Sequence, residues 1–201
     1  MHRQLHAVTS GLQGMDETFR IAKAIHPYID FLHIREKGWS ALQIKSFIKD
    51  LVNAGFPTEK ILVNDRVDIA AVTDAGGVQL AHHSLDVSEV KSKFPSLVIG
   101  ASVHSMEEAV SLCKEEADFL LYGNVFATSS KKGKPGVGSM KVKNLVKAVD
   151  LPVIAIGGIQ PANVQEINST GAAGIAVLSG IFLSPEPVSA AKEFRQLLDR
   201  R

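Results

Sequence analysis

The feature that most constrains this chain is a recurring short apolar run. Eight of them, five to seven residues long, punctuate the sequence: Leu5–Ser10, Ile29–Arg35, Ile61–Asp65, Gly77–Ala81, Leu97–Val103, Asp118–Gly123, Pro152–Gly158 and Gly174–Gly180. They are rich in Val, Ile and Leu and nearly continuous rather than alternating, which is the pattern of strands buried on both faces. The segments between them read as helices. Ser40–Gly55 sets Leu42, Ile44, Phe47, Ile48 and Leu51 on one side and closes with a glycine. Ser105 followed by Glu108 is the spacing of a capping box. Pro161 opens the helix after the seventh run, where a missing N–H costs nothing, and Pro187 stands near the start of the last. The reading is eight strands and eight helices in strict alternation. Parallel strands need crossovers, and helices supply them. The expected fold is α/β, a (β/α)8 TIM barrel formed as a single domain over residues 1–201, with a doubly wound open sheet as the alternative.

Composition narrows the partners. The chain has 201 residues, a net charge of +1 and 45% hydrophobic residues, a soluble balance with no basic excess to favour nucleic acid. No apolar run reaches the roughly 18 residues that span a bilayer. Met1–His6 is polar and lacks the apolar core of a signal peptide. The only cysteine, Cys113, lies in a helical pattern with no histidine near it in sequence, and reads as a packed or half-exposed thiol rather than a nucleophile. A cytoplasmic location is the expectation.

In a barrel of this kind the chemistry sits at the carboxyl ends of the strands. Polar residues follow most of the runs: Arg35, Glu36 and Lys37; Asn64 and Asp65; His82 and His83; Ser102 and His104; Asn124 and the loop carrying Lys131. The last two runs end in AIGGI and AVLSGI. Glycine lets backbone amides approach an anion, short helices starting there add their positive ends, and these two loops are a frequent phosphate site. Gly157, Gly158, Leu178 and Ser179 are therefore read as backbone donors to a phosphate monoester, against the plainer reading of tight turns. Arg35 and Lys37 leave their strand two residues apart and start on one face. With Lys131 they suggest a second anionic group, a carboxylate or diphosphate, unless they are surface charges with Glu36 as a partner. Asp65 reads equally as a metal ligand or a helix N-cap.

Five segments together resemble the thiamine phosphate synthase superfamily over nearly the whole chain: HIREK (His33–Lys37), VNDRVDIA (Val63–Ala70), GASVHSMEEA (Gly100–Ala109), PVIAIGGI and GIAVLSGI. The loop Val125–Gly138 is most similar to that of the TenI branch, the thiazole tautomerases of bacterial thiamin synthesis; the synthases usually carry Pro-Thr-x-Thr-Lys there. The resemblance implies a thiazole phosphate ligand held by the backbone of the last two loops. It places Arg35, Lys37, Asn64, Asp65, Ser102 and Lys131 where the synthases hold diphosphate, pyrimidine and magnesium. It implies no cofactor for a tautomerase, and it allows a homodimer, since barrels of this family are commonly dimers.

Two positions depart from the pattern. Ser84 stands where the synthases place a second metal-binding aspartate, so no metal site is assigned, although Asp86 lies two residues on. Asn124 stands where the tautomerases usually carry histidine. An amide cannot serve as a base at neutral pH, so Asn124 is expected to bind or orient the substrate. His104 is then the candidate proton carrier, with Glu36, His82 and Lys131 behind it. The expected function is an isomerase that aromatises a 2-carboxythiazole ylidene ethyl phosphate by proton transfer. The alternatives are a thiamine phosphate synthase, a transferase, or a non-catalytic regulatory protein that binds thiazole phosphate.

Overall fold

The computed structural model describes residues 2–128, 133 and 135–200. Its strands are β1 (Gln4–Val8), β2 (Phe31–Ile34), β3 (Ile61–Asn64), β4 (Gly77–Leu80), β5 (Val98–Val103), β6 (Phe119–Gly123), β7 (Val153–Ile156) and β8 (Gly174–Val177). Each lies inside one of the eight apolar runs, β1 beginning one residue ahead of its run. The helices are α1 (Met15–Ile25), α2 (Ala41–Asn53), α3 (Val67–Val72), α4 (Val87–Lys93), α5 (Met106–Cys113), α6 (Ser139–Ala148), α7 (Val164–Asn168), α8 (Ser179–Phe182) and α9 (Pro187–Asp199). Consecutive strands pair in parallel, and β8 returns to β1 with Gln4 opposite Gly174 and Ala7 opposite Val177. That last pairing closes the barrel and removes the open-sheet alternative.

Strand side chains alternate between two faces. One parity, with Leu5, Ala7, Leu32, Ile61 and Val63, packs beneath the helices in the larger apolar cluster. The other parity fills the barrel with a smaller cluster of Val8, Leu62, Phe119, Leu121, Ile154 and Ala176. Both faces are dry, which is why the runs read as continuous rather than alternating.

The helices follow local signals. Ser40 Oγ accepts from Gln43 N at 3.2 Å and Gln43 Oε1 accepts from Ser40 N at 2.8 Å, a reciprocal cap at the start of α2. Gly55, at φ +90°, ends it, with Gly55 N donating to Val52 O at 2.9 Å and Phe56 N to Leu51 O at 3.0 Å. Ile44, Phe47, Ile48 and Leu51 are buried, whereas Leu42 is 74% exposed. Two residues of helix turn Leu42 about 160° away from Ile44, so it belongs to the solvent face and not to the core stripe. At α5 the box closes only halfway: Glu108 N donates to Ser105 Oγ at 3.1 Å, but the Glu108 carboxylate takes His104 N at 2.7 Å instead of Ser105 N.

Strict alternation also fails once. After β8 the chain makes the four-residue α8, burying Ile181 and Phe182, before α9 begins at Pro187. Pro161 opens a 3-10 turn (Pro161–Asn163) that leads into α7. Cys113, at the end of α5, is half-buried. Among the described residues no helix is long and apolar enough to cross a membrane.

Candidate active site

The carboxyl ends of the strands surround a cavity of about 320 Å³. Ten of the residues expected to form the site line it: Arg35, Lys37, Asn64, Ser102, His104, Asn124, Gly157, Gly158, Leu178 and Ser179. Lys131, with Lys132 and Lys134, lies outside the described residues.

On the β7 and β8 side the backbone dominates. Gly157 and Gly158 have φ of +98° and +68°, a region that favours glycine. A Cβ on Gly157 would stand 2.6 Å from Asn124 Cβ, and one on Gly158 would stand 2.4 Å from Ala127 O. The turn therefore requires both glycines on conformation and on space. The N–H groups of Gly158, Ser179 and Gly180 donate to no described residue, and all three residues line the cavity. Leu178 is the N-cap of α8 and offers no side-chain cap. Such bare amides suit an anion.

On the β2 side Arg35 is anchored through its backbone, whose N–H donates to Thr9 Oγ1 at 2.8 Å, leaving the guanidinium to the cavity. Glu36 points elsewhere: it is buried and accepts from Gly11 N at 3.2 Å. Among the described residues no carboxylate lines the cavity, so Arg35 and Lys37 set its charge. Glu36 is thus neither their partner nor within the group of proton carriers.

At the floor, Gln79 Nε2 donates to Ser102 Oγ at 3.0 Å. The His104 Nδ1–H donates to Gly123 O at 2.8 Å, because a carbonyl can only accept. That contact leaves His104 Nε2 as the free ring nitrogen. Asn124 is buried, and its amide donates to Phe126 O at 3.2 Å.

His33 and Gln79 line the cavity without standing among the residues expected there. Both lie inside apolar runs, yet parity marks them: His33 is two residues before Arg35, and Gln79 stands opposite Asn64 in the register. Burial holds His6 well below the usual histidine range, with the neighbouring His33 adding to the effect, and pushes His33 down to about 3.

Asp65 is not an N-cap and, among the described residues, belongs to no group that could hold a metal. Arg66 occupies the N-cap of α3, without a side-chain cap. The Asp65 carboxylate accepts from Ser84 Oγ at 2.5 Å and lies 3.7 Å from His83 Nε2. Asp86 is the N-cap of α4, with no side-chain cap, and is exposed. Among the described residues no three His, Cys, Asp or Glu side chains group to hold a metal. The residues present do not fit the two-carboxylate magnesium site that the resemblance implies, since a serine hydroxyl occupies the second carboxylate's place.

A closed (β/α)8 barrel with a cationic mouth and bare amides on its last two turns defines an anion-binding barrel protein. Residues 5–181 match the thiamine monophosphate synthase family, and the chain belongs to it. The thiamine-phosphate synthase of Pyrococcus furiosus is 40% identical over 68% of this chain, a stretch spanning 66% of that enzyme's own length. The chain thus covers slightly under two thirds of that relative. The thiamine-phosphate synthase of Desulfitobacterium hafniense is 35% identical, over 90% of this chain and 89% of its own. A solved structure of thiamine phosphate pyrophosphorylase from Pyrococcus furiosus superposes with a TM-score of 0.85 at 31% identity, covering 98% of this chain and 95% of that one.

These relatives correct the expectation of an isomerase. All three carry the name of the transferase, and none that of the tautomerase. One position at the site also departs from the tautomerase pattern. The position expected to carry the tautomerase histidine holds an amide already donating to a backbone carbonyl, and an amide cannot accept a proton from carbon at neutral pH.

Proposed function

We propose that this chain makes thiamine phosphate, joining a hydroxymethylpyrimidine diphosphate to a thiazole phosphate with release of diphosphate. What carries the reading is that relatives spanning most of the chain are named for this one reaction. The cavity supports it with two anion regions on different strands, as two phosphorylated substrates require. The amides of Gly158, Ser179 and Gly180 take the monophosphate of the thiazole. Arg35 and Lys37 take the diphosphate, whose negative charge grows as it departs.

The chemistry asks for no general base. The ring nitrogen of the thiazole forms a bond to the methylene carbon, the carbon–oxygen bond to diphosphate breaks, and the bonding pair leaves on the diphosphate oxygen. No proton moves, so an amide at Asn124 and neutral buried histidines are compatible with it. Asn64 and Ser102 orient the pyrimidine, Asn124 packs beside the thiazole turn, and His104 Nε2 receives a hydrogen bond at the rim. Magnesium, in enzymes that use it, neutralises diphosphate.

The test is direct. The chain is incubated with both substrates and magnesium, and thiamine phosphate is measured after oxidation to its fluorescent thiochrome form. Product above the protein-free reaction, with equimolar diphosphate, is expected. No product at any magnesium concentration would refute the reading.

A further inference from the structure

The interior of the barrel holds a polar chain that the transfer reaction does not itself use. Gln4 and His6 point inward from β1, and His33 points inward from β2, by the alternation of strand side chains. His6 Nδ1 lies 2.8 Å from His33 Nε2, and His6 Nε2 lies 3.1 Å from Gln4 Oε1. His6 is 0% exposed and His33 1%. The rings of Phe31 and Phe119 pack on His6 with centroids 4.9 and 5.4 Å away, so water does not reach it.

A neutral imidazole has one donor and one acceptor nitrogen. The amide oxygen of Gln4 can only accept, so His6 carries its proton on Nε2. His6 Nδ1 is then an acceptor, and His33 must present its own proton from Nε2. That leaves His33 Nδ1 bare. No described residue donates to it, and His33 lines the cavity. Burial keeps both rings neutral, so the order of donors and acceptors is maintained across ordinary pH.

We propose that Gln4 and His6 are positioning residues that lock His33 in one tautomer, making its Nδ1 a fixed hydrogen-bond acceptor on the cavity floor. Such an acceptor selects a heterocycle that carries an N–H group. Of the two substrates only the aminopyrimidine does, and that assignment rests on the transferase reading; the tautomer does not.

The tautomer is read first. Nitrogen-15 histidine labelling of the full chain, with long-range proton–nitrogen correlation spectra at pH 7, distinguishes protonated from bare ring nitrogens. Both His6 and His33 are expected to carry the proton on Nε2. A proton on His33 Nδ1 would overturn the proposal, because it would mean that the Gln4 amide is turned and donates.

Two variants of matched size then test the relay. H6N places an oxygen where Nδ1 stood and keeps an acceptor for His33; H6L has the same shape and none. H6N is expected to keep the His33 tautomer and the wild-type KM for the pyrimidine diphosphate. In H6L the Nε2–H loses its partner, and that KM is expected to rise about tenfold, the worth of one hydrogen bond. The KM for thiazole phosphate should move in neither. Equal KM values for the pyrimidine in H6N and H6L refute the relay. If the wild-type chain makes no thiamine phosphate, the transferase reading fails. The relay is then judged by the tautomers alone: a proton on His33 Nδ1 in the wild-type chain, or a His33 tautomer and ring-nitrogen shifts that are the same in H6N and H6L, refutes it.

Discussion

Gly158→Ala separates a glycine needed only for the turn from one needed to bring an amide to an anion. The residue sits at φ +68°, where an alanine is strained by about 1–2 kcal/mol. Its Cβ would lie 2.4 Å from Ala127 O and 2.8 Å from Phe126 Cβ, both parts of the loop after β6 rather than flexible side-chain ends. Restoring ordinary contact at 3.4 Å needs about 1 Å of movement, which is more than a hydrogen bond tolerates. Losing one amide to a phosphate costs about 1.5–3 kcal/mol, so KM for thiazole phosphate should rise about ten- to a hundredfold. Strain and displacement together should lower Tm by about 4–10 °C in a chain of this length. The control is Gly171→Ala. That glycine has φ +86°, an added Cβ there would find its nearest neighbour 3.4 Å away, and it precedes β8 at the opposite end of the barrel. It should lower Tm without changing KM. Steady-state kinetics on both variants, varying each substrate in turn, decide the matter. A Gly158→Ala enzyme with lowered Tm and wild-type KM would show that the glycines serve the turn alone.

Other outcomes follow from the same geometry. Arg35→Ala should raise KM for the pyrimidine diphosphate about ten- to a hundredfold and leave KM for thiazole phosphate unchanged, because a charge-assisted contact is lost on one side of the cavity only; equal effects on both substrates would contradict the two-region site. His33, at about 3, binds its proton less readily folded than unfolded, so its contribution to stability is full above pH 6.5 and is lost as pH falls towards 3. Urea unfolding should show His33→Gln narrowing the difference in stability between pH 7 and pH 4.5 by about 3 kcal/mol, and an unchanged difference would refute the burial argument. Ser84→Asp sets a second carboxylate against Asp65 and should tighten Mn²⁺ binding at least about tenfold by calorimetry in the presence of diphosphate; unchanged affinity would mean that position 84 does not limit the metal.

The barrel is legible in the sequence because its physics is local and repeated. A run of Val, Ile and Leu bounded by turn residues means much the same wherever it falls, and eight of them in a row leave few ways to pack. Leu42 shows where that reasoning slips: apolar character alone groups it with the core stripe, although helical periodicity places it on the far side. The site is legible to the extent that it follows the ends of strands. Arg35, Asn64, Ser102 and the paired glycines line one cavity at those ends, whereas His33 and Gln79, which line it too, are hidden in the apolar runs around them. Strand parity finds both, since a side chain two residues before Arg35 must share its face. The chemistry is harder to read because a reaction depends on single atoms and a fold on averages. Weighing one loop, Val125–Gly138, above the body of the barrel makes Asn124 look like a lost base. Asn124 donates to Phe126 O and stands beside the Gly157 turn, and a displacement at carbon, which moves no proton, would ask no base of that position.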